Sequence, residues 1–213
     1  MSGERLRVAV AGAGGMGREA LAWLRDARPD VDPVAFFVAD ASERPTGADR
    51  DLPRTSSHAE LAQLKVAAVV LGVGDCGRRR AVAEEVVASG VAILTVVHPT
   101  AVVGPGVKLD DGCIVGPGVI LTRDITVGRG VIVNYGAKAG HDCQLGAFVF
   151  IAPGAVLTGE VRVEDGATVG AGAVVLPGRC IGAGARVGAG AVITSDVDAG
   201  ATVVGVPARV RHV

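Results

Sequence analysis

The pair His141-Asp142 is the sharpest chemical signal in the sequence. An imidazole takes up a proton near neutral pH, and a neighbouring carboxylate can orient the ring and raise its basicity. The pair therefore suits a general base. A surface histidine beside an aspartate also occurs with no chemical role, so its place in the fold has to decide. No nucleophile motif of the GxSxG kind is present, and a covalent enzyme intermediate is not required.

A second signal is Gly12-Ala13-Gly14-Gly15-Met16-Gly17, placed between an expected strand and an expected helix. Glycines let backbone amides approach a phosphate at a helix N-terminus. Asp40 closes the next expected strand, where a ribose or base contact would lie. Gly72-Val73-Gly74-Asp75 forms a second loop at the same sheet edge. Gly14, Gly15, Met16, Asp40, Gly74 and Asp75 are the candidate substrate contacts. The same spacing also closes tight turns that bind nothing. Arg78, Arg79 and Arg80 open the following helix; at least two are expected on a solvated face.

The other histidines and the cysteines carry less. His98 before Pro99 is expected to be structural, and His58 and His212 have no informative context. Cys113 and Cys143 read as packing residues. Metal ligation needs clustered Cys or His, which the sequence lacks, so no metal is expected.

These residues need elements to hold them. From Val97 to Ile193, every sixth residue is Val, Ile or Leu at 16 of 17 positions, and Ala139 is the exception. Four residues after each stands a smaller apolar series, including Ala101, Cys113, Ala137, Cys143 and Ala155. Glycine, Asp, Asn and Pro fill the intervals. Six residues make one short strand and one turn, and three such units close a triangular coil. The aliphatic ladder points inward, and glycines supply the tight corners. On this frame His141 stands at a corner of the prism, with Gly159 one coil further along the same edge.

Residues 1–96 alternate otherwise. Leu6–Ala11, Val34–Val38, Val66–Leu71 and Ala92–Val97 read as strands. Arg18–Ala27 and Arg78–Ser89 read as helices, with a short helix over Leu61–Leu64 and a loop over Ala41–Ser57. The pattern predicts a small Rossmann-like α/β domain (1–96) followed by a parallel β-helix (97–213).

Composition sets limits. The 213 residues carry 21 basic and 22 acidic side chains, with no basic stripe, so nucleic acid is not an expected partner. No long apolar run suggests a membrane span. The four cysteines are widely spaced, and a cytoplasmic protein with reduced thiols is expected.

The sequence resembles the bacterial sugar O- or N-acyltransferases of the sialic-acid O-acetyltransferase type. The segments VAVAGAGGMGRE, VVLGVGDCGRR, VVHPTAVVGPG, VNYGAKAGHDCQLGAFVFIAPGAVLTG and VVGVPARV carry the likeness. It implies a left-handed coil, acetyl-CoA as co-substrate and a nucleotide-linked amino sugar as acceptor. It implies His141 as general base, Asp142 as its electrostatic partner and Asn134 as a polar active-site residue. Acetyl-CoA would lie between neighbouring β-helices of a homotrimer, along Gly159 and Ala171, with Gly188 and the Gly205–Pro207 turn near the adenine. Two positions depart from the family's habit. Met16 stands where a histidine is common in the glycine loop. Phe150 stands nine residues after His141, where a second histidine is common, and it cannot donate a hydrogen bond. O-acetylation of sialic acid or another sugar, and a non-catalytic trimeric scaffold, are the alternative readings. A redox nucleotide-binding domain fits poorly beside a β-helix.

Overall fold

In a computed structural model, residues 5–38 and 46–211 are described. The chain divides into two compact units, Met1–Val97 and His98–Val213.

The first unit is a five-stranded parallel sheet. Its strands are β1 (Leu6–Ala11), β2 (Val31–Phe37), β3 (Arg54–Thr55), β4 (Ala68–Val70) and β5 (Ala92–Ile93). They lie in the order β3-β2-β1-β4-β5. The helices are α1 (Gly15–Ala27), α2 (His58–Gln63) and α3 (Cys76–Ala88). β1 and β4 are buried through their centres, as near-continuous apolar runs such as Val8-Ala9-Val10-Ala11 demand. The pairing of β1 with β2 shifts register between Val8 and Ala9, opposite Pro33. Proline has no backbone N–H for the ladder, so a bulge is the natural place for it. The strand order reverses between β1 and β4, and the loops leaving both strands are the glycine loops.

Several boundaries differ from the sequence expectation. α1 starts at Gly15 rather than Arg18, because the glycine loop itself supplies the first helical turn. β2 runs over Val31–Phe37, three residues earlier at its start. The expected 41–57 loop contains a short turn at Gly47–Asp49 and the edge strand β3. Only Ala92–Ile93 of the expected Ala92–Val97 strand joins this sheet; Val96–Val97 is a separate two-residue strand.

The second unit is a left-handed β-helix of two-residue strands stacked in three parallel sheets. Partners stand 18 residues apart, as in Ile120 with Lys138 and Leu121 with Ala139. The second residue of each strand is the sequence ladder. From Val115 to Ile193 every one of these residues is buried. Each fully buried Val, Ile or Leu side chain stabilises the fold by about 1.5–3 kcal/mol. Backbone amides bond to the next coil, for example Ile132 N–H to Val149 O at 3.0 Å. The turns need left-handed backbone, and glycine fills most of them. Asp124, Asp142, Phe148 and Glu160 are the non-glycine exceptions in this unit. The C-terminal end closes with an antiparallel pair, Thr202–Val204 against Arg209–Val210. No helix among the described residues is long and apolar enough to cross a membrane.

Candidate active site

The His141 corner follows the two-residue strand Lys138–Ala139. Gly140 turns the chain where an added Cβ would stand 2.8 Å from Gly159 N, so only glycine fits. Asp142 takes a left-handed conformation at φ 59°, and its N–H donates to Arg123 O at 3.2 Å. Aspartate tolerates this region better than most residues. His141 O accepts from Glu160 N–H at 2.8 Å, so the corner is held by coils on both sides. The His141 side chain is exposed, and its Nδ1 lies 2.8 Å from Asp142 Oδ2.

An ionised Asp142 accepts the Nδ1 proton and leaves the Nε2 lone pair outward. The ring lies over Gly159, where an added Cβ would meet Nε2 at 2.5 Å. The coil thus carries an exposed imidazole over a bare stretch of backbone. Behind this corner, Cys143 donates its thiol to Thr158 O at 3.0 Å.

Asn134 stands one corner earlier in the same coil. It is buried, and its Oδ1 accepts from Tyr135 N–H at 2.7 Å. Ala171 lies exposed at a turn further along, and Gly188 is half-buried. A Cβ on Gly188 would meet Val204 Cγ1 at 2.7 Å. Phe150 is half-buried on the strand Phe150–Ile151, between Ile132 and Thr168 of the neighbouring coils. It stands half a coil from His141.

The glycine loops of the first unit form a cleft of about 550 Å³. Gly12, with φ 84°, makes the tight turn. Gly17 and Gly72 allow backbone to meet backbone: a Cβ on Gly17 would stand 1.9 Å from Gly12 O, and one on Gly72 2.7 Å from Gly17 Cα. At Gly14 and Gly15 an added Cβ would meet nothing within 4 Å, so the start of α1 opens to the cleft. Gly14, Gly15, Met16, Gly74 and Asp75 all line it. The Asp75 carboxylate caps α3, accepting from Arg78 N–H at 2.8 Å. Asp40 and His212 lie outside the described residues.

The three arginines at the start of α3 differ in their surroundings. Arg79 is not solvated: it is fully buried, donating to Val73 O at 2.7 Å and Gly74 O at 2.9 Å. It braces the loop that ends β4. Arg78 lines the cleft. Phe37, Val82 and Glu85 also line it and carried no motif. The spacing of Arg78, Ala81, Val82 and Glu85 on one helical face was the available signal. His98 Nδ1 lies 2.8 Å from Thr100 Oγ1. Burial pushes the Cys113 thiol up to about 12, as a packing residue requires. Among the described residues no group of three or more metal-ligating side chains occurs.

Comparison with known proteins adds the family. The profile for bacterial transferase hexapeptide (six repeats) matches residues 160–195. A sequence search of curated proteins gives no match. Among solved structures, a histidine-to-asparagine variant of perosamine N-acetyltransferase from Caulobacter crescentus, in complex with CoA and GDP-perosamine, is 31% identical. It covers 97% of this chain and 97% of its own, with a TM-score of 0.89. WeeI from Acinetobacter baumannii AYE is 31% identical over 96% of this chain and 99% of its own, at a TM-score of 0.86. The acetyltransferase domain of PglB from Neisseria gonorrhoeae FA1090, in complex with acetyl coenzyme A, is 31% identical over 98% and 100%, also at 0.86. The likeness runs the length of the chain, which therefore belongs to the hexapeptide-repeat sugar acyltransferases of the sialic-acid O-acetyltransferase type, the group that includes the nucleotide amino-sugar N-acetyltransferases.

Proposed function

We propose that this chain transfers the acetyl group of acetyl-CoA to the amine of a nucleotide-linked amino sugar, with His141 as general base. The observation that carries the reading is the His141–Asp142 pair, its Nδ1 held at 2.8 Å and its Nε2 lying over Gly159. Family membership supplies the reaction class, and relatives crystallised with CoA, acetyl-CoA and a nucleotide amino sugar support both substrates.

Asp142 holds the imidazole in the tautomer with its proton on Nδ1. Nε2 then takes the proton of the amine as its nitrogen attacks the thioester carbonyl. Backbone N–H groups along the corner stabilise the oxyanion that forms. The proton on Nε2 passes to the departing thiolate as the tetrahedral intermediate collapses, leaving amide and free CoA. Asn134 contributes a polar contact at the neighbouring corner. Gly159, Ala171 and Gly188 supply the backbone path for the pantetheine arm and adenine end. Gly14, Gly15, Met16, Gly74 and Asp75, together with Asp40, serve the nucleotide.

The reading includes a homotrimer with sites between copies. One outward face of the β-helix carries Val102, Ile120, Val156, Val174 and Val192, broken only by Lys138. Another carries Lys108, Thr126, Gln144 and Arg162. The apolar face suits a second copy and the polar face suits water. Phe150 stands half a coil from His141, so the two serve one site only across an interface. The phenyl ring offers no hydrogen bond to an acetyl carbonyl, which leaves backbone amides to hold it.

The test is turnover of acetyl-CoA by the purified chain with nucleotide sugars bearing an amine or only hydroxyls. Acetylation confined to the amine is expected. Acetylation of hydroxyls alone would replace this reading with O-acetylation.

A further inference from the structure

Inside the prism, behind the His141 corner, lies a thiol to which the transfer gives no task. Cys143 is fully buried, and its Sγ donates to Thr158 O at 3.0 Å. Burial raises its pKa, so the thiol stays protonated and keeps its weak donor at neutral pH. Thr158 immediately precedes Gly159. At other corners the matching carbonyl accepts the N–H three residues on. Ala155 N–H donates to Ala152 O, and Ala167 N–H to Glu164 O, both at 3.2 Å. Among the described residues no such bond closes the turn at Thr158, and the Cys143 thiol takes its place.

The peptide between Thr158 and Gly159 is planar, with its C=O and N–H pointing in opposite directions. A carbonyl drawn to a thiol inside the prism therefore turns the Gly159 N–H outward. The fold has no use for that N–H. Among the described residues it donates to no protein group. Pro177, one coil on at the same corner, and Pro105, three coils earlier, have no N–H to offer. The His141 ring lies over the same Gly159. An outward N–H beside the base is placed to meet the negative charge that develops on a reacting carbonyl oxygen.

We infer that Cys143 is a positioning residue for the transfer: its thiol fixes the plane of the Thr158–Gly159 peptide and so aims the Gly159 N–H at the thioester carbonyl. The inference rests on the acetyl transfer proposed above and adds the group that holds the donor in place. Cys143 acts through the backbone and forms no bond to the acyl group. Cys113 is its matched control. It too is fully buried, and its thiol donates to a carbonyl 15 residues on, Gly128 O, at 3.3 Å. The peptide it holds leads to Arg129, at a different corner from His141.

The experiment is steady-state kinetics of the full chain as wild type, Cys143→Ala, Cys143→Ser and Cys113→Ala, with acetyl-CoA and a nucleotide amino sugar, beside thermal melts. Deleting an oxyanion donor costs about 10²- to 10³-fold in kcat, and Cys143→Ala only frees one to turn away. Its kcat should therefore fall by about ten- to a hundredfold, with KM for the sugar within about twofold. Cys143→Ser keeps a donor at the same place and should return kcat to within about threefold of wild type. Cys113→Ala should lower the melting temperature about as much as Cys143→Ala and leave kcat within about twofold of wild type. A kcat in Cys143→Ala no lower than in Cys113→Ala, or no recovery in Cys143→Ser, would overturn the positioning role and leave acetyl transfer standing. No transfer by wild type to any amine acceptor would overturn both.

Discussion

The imidazole of His141 lies over the backbone of Gly159, one coil away, so closely that a Cβ on Gly159 would stand 2.5 Å from Nε2. Gly159 has no left-handed φ to demand glycine. The requirement comes from the ring. Gly159→Ala should therefore push the exposed imidazole aside with little effect on folding. The melting temperature should hold while kcat falls by about a hundredfold, the scale expected for an ångström-sized misplacement of a catalytic group. A kcat near wild type would show that the stacking has no part in the reaction.

Asp142 has two tasks that substitution can separate. Its carboxylate holds Nδ1 of His141, and its backbone turns the corner at φ 59°. Asn tolerates that conformation, whereas Ala does not. Asp142→Asn should keep the melting temperature and lower kcat by about ten- to a hundredfold, because an amide does not fix the ring tautomer as a carboxylate does. Asp142→Ala should lose both. Steady-state kinetics beside thermal melts reads the two effects apart.

Arg79 is a buried cation whose guanidinium satisfies two carbonyl oxygens of the cleft loop. Arg79→Met removes the donor that both carbonyl oxygens share, at a cost of about 1–3 kcal/mol. Denaturant unfolding should show that loss, and binding of the nucleotide sugar should weaken with it. Unchanged stability would mean that water replaces the guanidinium.

The prism and its site were unequally legible. The ladder from Val97 to Ile193 announced the β-helix because one residue type must recur at every inward position of an 18-residue coil. That frame placed His141 at a corner and Gly159 beside it. Which of the three arginines turns inward was not legible, because three successive arginines look alike in sequence and only the loop geometry singles out Arg79. β3 went unseen because Arg54–Thr55 is too short to show alternation and is held by pairing with Phe36 and Phe37.

The thiols supply an independent check on the packing. Burial pushes Cys113 up to about 12 and raises Cys143, whereas Cys76 and Cys180 are only half-buried. At pH 8 the native chain should react quickly at Cys76 and Cys180, and all four should react in denaturant. A thiol raised on folding leaves stability unaffected below its unfolded value of 9.0. As pH rises from there toward about 12, the unfolded chain ionises first and stability falls. Rapid native labelling of Cys113 would contradict the closed prism.

The measurement that tests the central claim most directly is CoA release from acetyl-CoA by wild type and His141→Ala, with a nucleotide amino sugar as acceptor. Amine-dependent release by wild type, reduced by about 10²- to 10⁴-fold in the variant at unchanged melting temperature, is the expected result. Equal release by the two proteins would contradict His141 as the base, and no release by wild type with any amine acceptor would contradict the proposed activity.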